Sequence, residues 1–408
     1  MYNLISYDSL SQFRAIAPQW DDLWRRSTSS LPTARAEPLR LWFEQFARGA
    51  KLRLLAVADG DDLVAALPLH GGPATSRLAA LGRWAAVGRL PVNVWDHCGD
   101  LLIDPQADEA AVVARLVDGI DRLPWPLLWL EGMNLALPRW RTFVAALEAS
   151  RRAHCEHALY CVGQVEIAHD WEAYERSRSR NHRQQTRKGW RHLERAGGQW
   201  RFVQQPLGSD VDALLRRGFE VEDRSWKGQG GSSVLRATGL LEYFCRQAAA
   251  LAAAGQLDLS YVELEGVPIG FIYGWHGKDT YYTPKIGYDE QHAGLSPGRL
   301  LMGQLIRRLH DDRSCRTLDF FGPLVESTAR WATASYDVSR LLVATGMAGR
   351  ALLGSYHALR PRLLALRGRR PAVDPPVVRP LAAPPDAPDS LSPSAAVGAA
   401  TGSSTGPV

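Results

Sequence analysis

The residue types best suited to chemistry gather late in the chain, around Tyr288-Asp-Glu-Gln291-His-Ala-Gly294-Leu-Ser296-Pro297-Gly298-Arg299. An apolar strand over Thr280–Tyr288 is expected to end here, a glycine-containing loop to follow, and a helix to open. Ser296 suits the N-cap, and Pro297 fits the first helical position, where a missing N–H costs nothing. Gly298 leaves room for a ligand to approach the backbone. Unpaired N–H groups and the positive end of the helix dipole then make an anion site that suits a pyrophosphate. Taken alone, Ser-Pro-Gly reads first as an ordinary capped helix. The sequence contains neither a G-x-x-x-x-G-K-[ST] phosphate loop nor a G-x-G-x-x-G after a strand, which argues against nucleoside triphosphates and dinucleotides.

A second feature is electrostatic. Residues 176–195 hold eight arginines and lysines against Glu194 alone, about +7 in a chain of net charge +5, so the remainder is near −2. Arg180, Arg183, Arg187 and Arg191 recur every three or four residues and share one helix face. A solvated face is the bland explanation. The lack of acidic neighbours makes an acidic partner an equal reading. The near-neutral remainder speaks against a nucleic-acid binder, which spreads its cations more widely.

These residues need elements to hold them, and the sequence repeats itself faintly. Leu52–Ala58, an acidic glycine turn and Leu63–His70 form one strand–turn–strand unit; Leu257–Leu264, Glu265-Gly266 and Ile269–Trp275 form another. Each unit precedes a strand (99–103; 280–288), a helix (109–120; 298–310) and a strand (127–130; 317–321). This order predicts a duplicated α/β lobe. Residues 171–197 read as one helix closed by Gly197-Gly198. The stretch 341–366 reads as a basic, leucine-bearing helix broken at Pro361, either docked on the second lobe or lying weakly on a membrane surface. The Pro-, Ala- and Ser-rich residues 371–408 are expected to be disordered.

Composition fits this picture. Hydrophobic content of 46% and 408 residues suit two lobes with real cores. The 14 tryptophans fit core filling, or a groove for a sugar or acyl arm. Five scattered cysteines lack metal-ligand spacing, so no metal is expected. With no apolar leader or membrane span in the sequence, a cytoplasmic protein with reduced thiols is the expectation.

In order, the motifs are Arg180-Asn-His-Arg-Gln-Gln-Thr-Arg-Lys-Gly-Trp-Arg-His-Leu193, Phe219–Glu222 leading to Trp226-Lys227-Gly228, Gly266-Val-Pro-Ile-Gly270, Tyr288-Asp289 with Ser296-Pro-Gly-Arg-Leu-Leu301, and Asp319-Phe-Phe-Gly322. With these the chain resembles GNAT-type acyltransferases of the cellulose-biosynthesis (CelD-like) branch, related to the two-lobed Fem peptidyltransferases. The resemblance spans about 15–345 and is strongest over 171–331. It implies an α/β (α+β) fold of two tandem GNAT-like lobes, each a mixed, mainly antiparallel sheet flanked by helices. The lobes are expected at 1–160 (degenerate) and 161–345 (acyltransferase), with a helical extension over 346–370. In the first lobe, Asp104, Asp108 and Glu109 at the equivalent helix start would repel a pyrophosphate.

The resemblance also implies that acetyl-CoA or another acyl-CoA lies along Ile286, Gly287 and Tyr288, with its phosphates at Gln291, Gly294, Ser296, Gly298 and Arg299. The GNAT pattern Q/R-x-x-G-x-G/A is met by Gln291 and Gly294; the last place holds Ser296, and Pro297-Gly298 is added. Asp319, Glu222 and Glu326 are the candidate bases near the implied cleft, Asp319 where the CoA strand and its neighbour should splay apart. A plain ion pair with Arg316 or Arg330 is the alternative for Asp319. Trp226, Lys227, Tyr282, Lys285 and Arg187 are the candidate substrate contacts. The implied reaction is direct attack of an amine on the thioester, with no covalent enzyme intermediate. The acceptor is a small molecule or saccharide: a sugar, a polysaccharide precursor or an amino-acid-like amine. The alternatives are a non-catalytic CoA-binding scaffold and a Fem-like aminoacyl or peptidyl transferase.

Overall fold

The computed structural model describes residues 1–73, 86–195, 197–205 and 210–366, the last six as backbone only. The tail expected over 371–408, and the end of the extension over 367–370, lie outside the described residues. The first half of the chain supplies β1 (Tyr2–Tyr7), β2 (Leu52–Asp59), β3 (Asp62–Gly72), β4 (Val87–Arg89), β5 (Leu102–Ile103) and β6 (Leu127–Met133). The rest supplies β7 (His154–Glu166), β8 (Trp200–Gln204), β9 (Leu257–Leu264), β10 (Val267–Gly277), β11 (Thr280–Tyr288), β12 (Thr317–Pro323) and β13 (Ala334–Ala344).

All thirteen join one mixed, mainly antiparallel sheet in the order β1-β2-β3-β4-β6-β13-β7-β12-β11-β10-β9-β8, with β5 paired to β3 beside this path. The two expected hairpins form: β2 pairs β3, and β9 pairs β10 across Glu265 and Gly266, both at positive φ. That is the conformation a two-residue hairpin turn requires.

β7 is 13 residues long, roughly 43 Å at about 3.3 Å per residue, enough to serve both lobes. Along one edge His154–Gln164 pair β13, and along the other its end, Val162–Glu166, pairs β12. β13 in turn pairs β6 of the first lobe through Ser339–Ala344. The boundary expected at 160/161 therefore falls inside a strand, and the last described strand closes the sheet of the first lobe.

Two helix expectations are corrected. Residues 171–197 form two helices, Trp171–Ser177 and Arg180–Arg195. They break at Arg178, whose buried guanidinium donates to the carbonyls of Trp331 and Ala332, while Ser179 Oγ accepts the His182 N–H and restarts the helix. Leu341–Ala344 belongs to β13, and the following helix, Met347–Leu366, continues through Pro361. The run Leu-Leu-Val-Ala is too short for periodicity to separate strand from helix.

Two layers of helix clamp the second half of the sheet. Leu301, Leu305, Ile306 and Leu309 of helix Pro297–Asp312 pack on Val262, Ile272, Tyr281 and Leu318. On the opposite face, helices Val211–Asp223 and Leu240–Ala253 share one core with the first lobe, in which Phe219, Phe244 and Phe271 join Trp20, Trp42 and Phe43. Trp20, Trp42, Trp140 and Trp275 are all fully buried, so core filling accounts for many of the tryptophans.

Candidate active site

The site begins where two parallel strands separate. β11 and β12 pair at Thr280↔Thr317, Tyr281↔Leu318 and Tyr282↔Asp319, and no further. At this point Thr283 and Pro284 stand opposite the single residue Gly274 of β10, a bulge that bends the strand. Pro284 has no N–H to offer a ladder, so the strand parts from β12 there without wasting a donor. Beyond the bulge, one edge of Lys285–Tyr288 is left open by β12.

Asp319 occupies the apex of this splay. Its carboxylate is buried, accepting from Gln164 Nε2 at 2.9 Å and the Phe321 N–H at 2.7 Å. Burial raises its pKa to about 6, against hydrogen bonds from Gln164, the Phe321 amide and Tyr336 that pull it down. It pairs with neither Arg316 nor Arg330, so the simple ion-pair alternative does not hold. An acid poised near neutrality and bonded by neutral groups is suited to taking up a proton.

The other two carboxylates differ. Glu222 is buried, but Oε1 accepts from Lys227 Nζ at 2.8 Å and Oε2 from the Val234 N–H at 3.1 Å, so it is an occupied structural ion pair. Glu326 lies on the surface, paired with Arg330 four residues on, and lines no described cavity. The splay brings Asp319 alone of the three to its apex.

The loop after β11 is open. Gln291 and Gly294 are exposed, and a Cβ on Gly294 would meet nothing within 4 Å. Ser296 holds the N-cap position but adopts a left-handed conformation with φ 56, and its hydroxyl caps nothing. Instead its carbonyl accepts from the N–H groups of Arg299 (3.0 Å) and Leu300 (3.1 Å). Gly298 lies close under Tyr288, its would-be Cβ 3.3 Å from the ring. Gly287 is a second glycine set by contact, since a Cβ there would stand 2.8 Å from Glu222 Cα. The Ile286 carbonyl is occupied by Lys227 Nζ at 2.9 Å.

Cations border this loop. Helix Arg180–Arg195 packs on it through Gly189, close to Leu300 and the Leu295 carbonyl. Arg180, Arg187 and Arg191 project into solvent, and Arg187 stands 4.0 Å from Glu175. Arg299 is half-buried beside Arg330. His182 is buried against Trp331, and burial next to Arg299, Arg178 and Arg330 lowers its pKa to about 4. In the first lobe the equivalent helix start is taken: Asp108 caps Ala111, and Asp104 pairs Arg26.

The substrate candidates separate too. Tyr282 is buried, its hydroxyl 2.7 Å from Ser30 of the first lobe. Lys285 is half-buried between the rings of Trp95 and Phe244, and burial lowers its pKa to about 8 despite the nearby Glu222 carboxylate. Trp226 is 60% exposed on a short helix and Lys227 is held by Glu222.

Beneath the splay lies a cavity of about 250 Å³ between the lobes. Tyr282, Asp319 and Tyr336 form one wall; Ser30, Asp100 and Arg139 form the other. None of the first-lobe residues, nor Gln164, Tyr160 and Tyr336, stands out in the sequence, because pairing across β7 and β13 brings them together from afar. A larger groove of about 530 Å³ lies between helices Ala36–Phe46 and Leu240–Ala253. Its Glu44 already pairs Arg14, Arg40 and Arg246, which leaves that carboxylate nothing to offer a ligand.

A twice-repeated sheet of this kind, with parallel strands that part above an open helix start, is a two-lobed GNAT-like fold. More particularly, residues 180–331 match the family model described as Acetyltransferase (GNAT) domain. Solved structures share the fold across both lobes. FemX has a TM-score of 0.57 at 10% identity, covering 88% of this chain and 99% of that one. The C-terminal domain of a putative lysylphosphatidylglycerol synthetase from Agrobacterium fabrum has 0.51 at 11%, covering 86% and 97%. A conserved protein of unknown function from Bacteroides thetaiotaomicron VPI-5482 has 0.50 at 10%, covering 84% and 100%. At such identities the likeness speaks for the fold. A search of the curated proteins finds no match.

Proposed function

We propose that the chain transfers an acyl group, acetyl in the simplest case, from acyl-CoA to a primary amine, with Asp319 as proton acceptor. The observation that carries this reading is the splay with a buried, near-neutral carboxylic acid at its apex and an exposed glycine loop at its mouth. The loop at Gln291, Gly294, Ser296 and Gly298, with Arg299 behind it, is where the diphosphate is held. The open edge of Ile286, Gly287 and Tyr288 guides the pantetheine arm. Main-chain donors on that edge polarise the thioester carbonyl as the amine attacks. One C–N bond forms and the C–S bond breaks. Asp319 takes the proton shed by the attacking nitrogen, and the thiolate leaves to be protonated as free CoA. Acceptor classes compatible with this chemistry are a sugar, a polysaccharide precursor and an amino-acid-like amine.

The test is free-thiol release from acetyl-CoA against a panel of amines, with calorimetry for CoA binding. Asp319→Asn is expected to lower turnover about 100-fold or more while leaving CoA affinity within about twofold. Unchanged turnover removes Asp319 from the role. CoA binding with no amine turned over favours a scaffold.

A further inference from the structure

The cavity under the splay has a charge inventory that discriminates among amines. Two carboxylates face it. Asp100 is spent: it accepts from Arg139 at 2.8 Å, Ser29 Oγ at 2.5 Å and Trp140 Nε1 at 3.3 Å. Asp319 has neutral partners alone. Among the described lining residues the cations are Arg139, committed to Asp100, and His97. The His97 imidazole is half-buried, bonds the Gly99 carbonyl at 2.8 Å, and is held toward its neutral form by desolvation. One negative charge at Asp319 is thus left without a cation, while no cation is left for a ligand carboxylate.

The rest of the wall is hydroxylic and aromatic. The Tyr282 hydroxyl meets Ser30, Tyr336 reaches Asp319, and Tyr160 stands 40% exposed at the rim. Such a surface bonds hydroxyl groups and stacks on the apolar face of a ring. About 250 Å³ holds one monosaccharide-sized group.

We propose that this inter-lobe cavity is the acceptor site and that its ligand is an uncharged, hydroxyl-rich body carrying a primary amine, an amino sugar unit, in preference to an amino acid. The inference rests on the acyl-CoA reading above and deepens it. It makes the first lobe a wall of the acceptor site, through Ser30 and the Asp100–Arg139 pair, although that lobe's own helix start is closed to phosphate. An amino acid brings its carboxylate into a cavity whose arginine is already taken. A polyamine brings no hydroxyls for the tyrosines and serines. The amino sugar answers both.

The full chain is assayed for thiol release from acetyl-CoA with glucosamine, alanine and putrescine as acceptors. Glucosamine, free or as the terminal unit of a short oligosaccharide, is expected to give kcat/KM at least tenfold above the other two; the two forms separate a free sugar from a polymer end. Tyr160→Arg, at the exposed rim, puts a cation beside the amine and is expected to raise the glucosamine KM more than tenfold. Tyr160→Phe, which removes one hydroxyl, is expected to raise it about threefold. Acetyl-CoA affinity by calorimetry is expected to be unmoved in both. Alanine or putrescine preferred over glucosamine overturns the ligand class, and a glucosamine KM unmoved by Tyr160→Arg overturns the location. Wild-type protein that binds no acetyl-CoA overturns the underlying reading and this inference with it.

Discussion

At the scale of single residues, Asp319 links function to stability. Its pKa is raised from 3.8 to about 6, so the folded state holds this proton more tightly than the unfolded chain does. Stability contributed by the protonated acid is present below about pH 4 and is lost as pH rises to about 6, at a cost of roughly 3 kcal/mol. Under the proposed role of Asp319 as base, activity is expected to run the other way, rising through pH 6 as the carboxylate forms. Asp319→Asn is therefore expected to raise the melting temperature at pH 8 by a few degrees while turnover falls. An amide keeps the acceptor for the Phe321 N–H, and Gln164 turns its own amide to match. Equal melting temperatures at pH 8 would show that the ionised carboxylate is no burden. As a candidate, Asp319 was legible in the sequence through Asp-Phe-Phe-Gly in a strand expected beside Thr280–Tyr288. Its environment was not, because Gln164 and Tyr336 lie on other strands. Glu222 and Glu326 show the converse: a carboxylate at a suggestive place says nothing of the lysine or arginine that has already claimed it.

At the scale of elements, the helix Pro297–Asp312 and the loop before it carry the phosphate hypothesis. Gly298→Glu places a carboxylate at the helix start and presses Tyr288; acetyl-CoA affinity is expected to fall more than tenfold, about 1.4 kcal/mol or more. Gly294→Ala, in open space at an ordinary φ, is expected to change it less than twofold. Equal effects in calorimetry would move the diphosphate elsewhere. Arg299→Ala is expected to weaken binding about fivefold, and Arg180→Ala, which points into solvent, hardly at all in 0.15 M salt. The helix start was readable from Pro297 at its first position. The left-handed Ser296 was not, since serine there is read as a side-chain cap. The break at Arg178 escaped for a similar reason: a buried arginine that pairs with two carbonyls looks, in sequence, like one more member of a basic helix.

At the scale of the molecule, the repeat in the sequence foretold two lobes but not how they are joined. Hydrophobic periodicity fixes which side of a strand is buried and leaves its partner open, so the path of β7 and β13 across both lobes was invisible. That path, with one core common to Trp42, Phe43, Phe219 and Phe271, is expected to make the lobes a single cooperative unit. The cavity proposed for the acceptor depends on the same junction, since its walls come from both sides of it. Trp42→Ala tests the claim at a distance from the splay. Trp42 is 2% exposed, and its loss is expected to destabilise by about 3–5 kcal/mol. If the lobes unfold together, calorimetry of the variant shows one transition, shifted down, and acetyl-CoA binding melts out along with it. Two resolved transitions, with binding retained through the first, would show instead that the second lobe stands without the first.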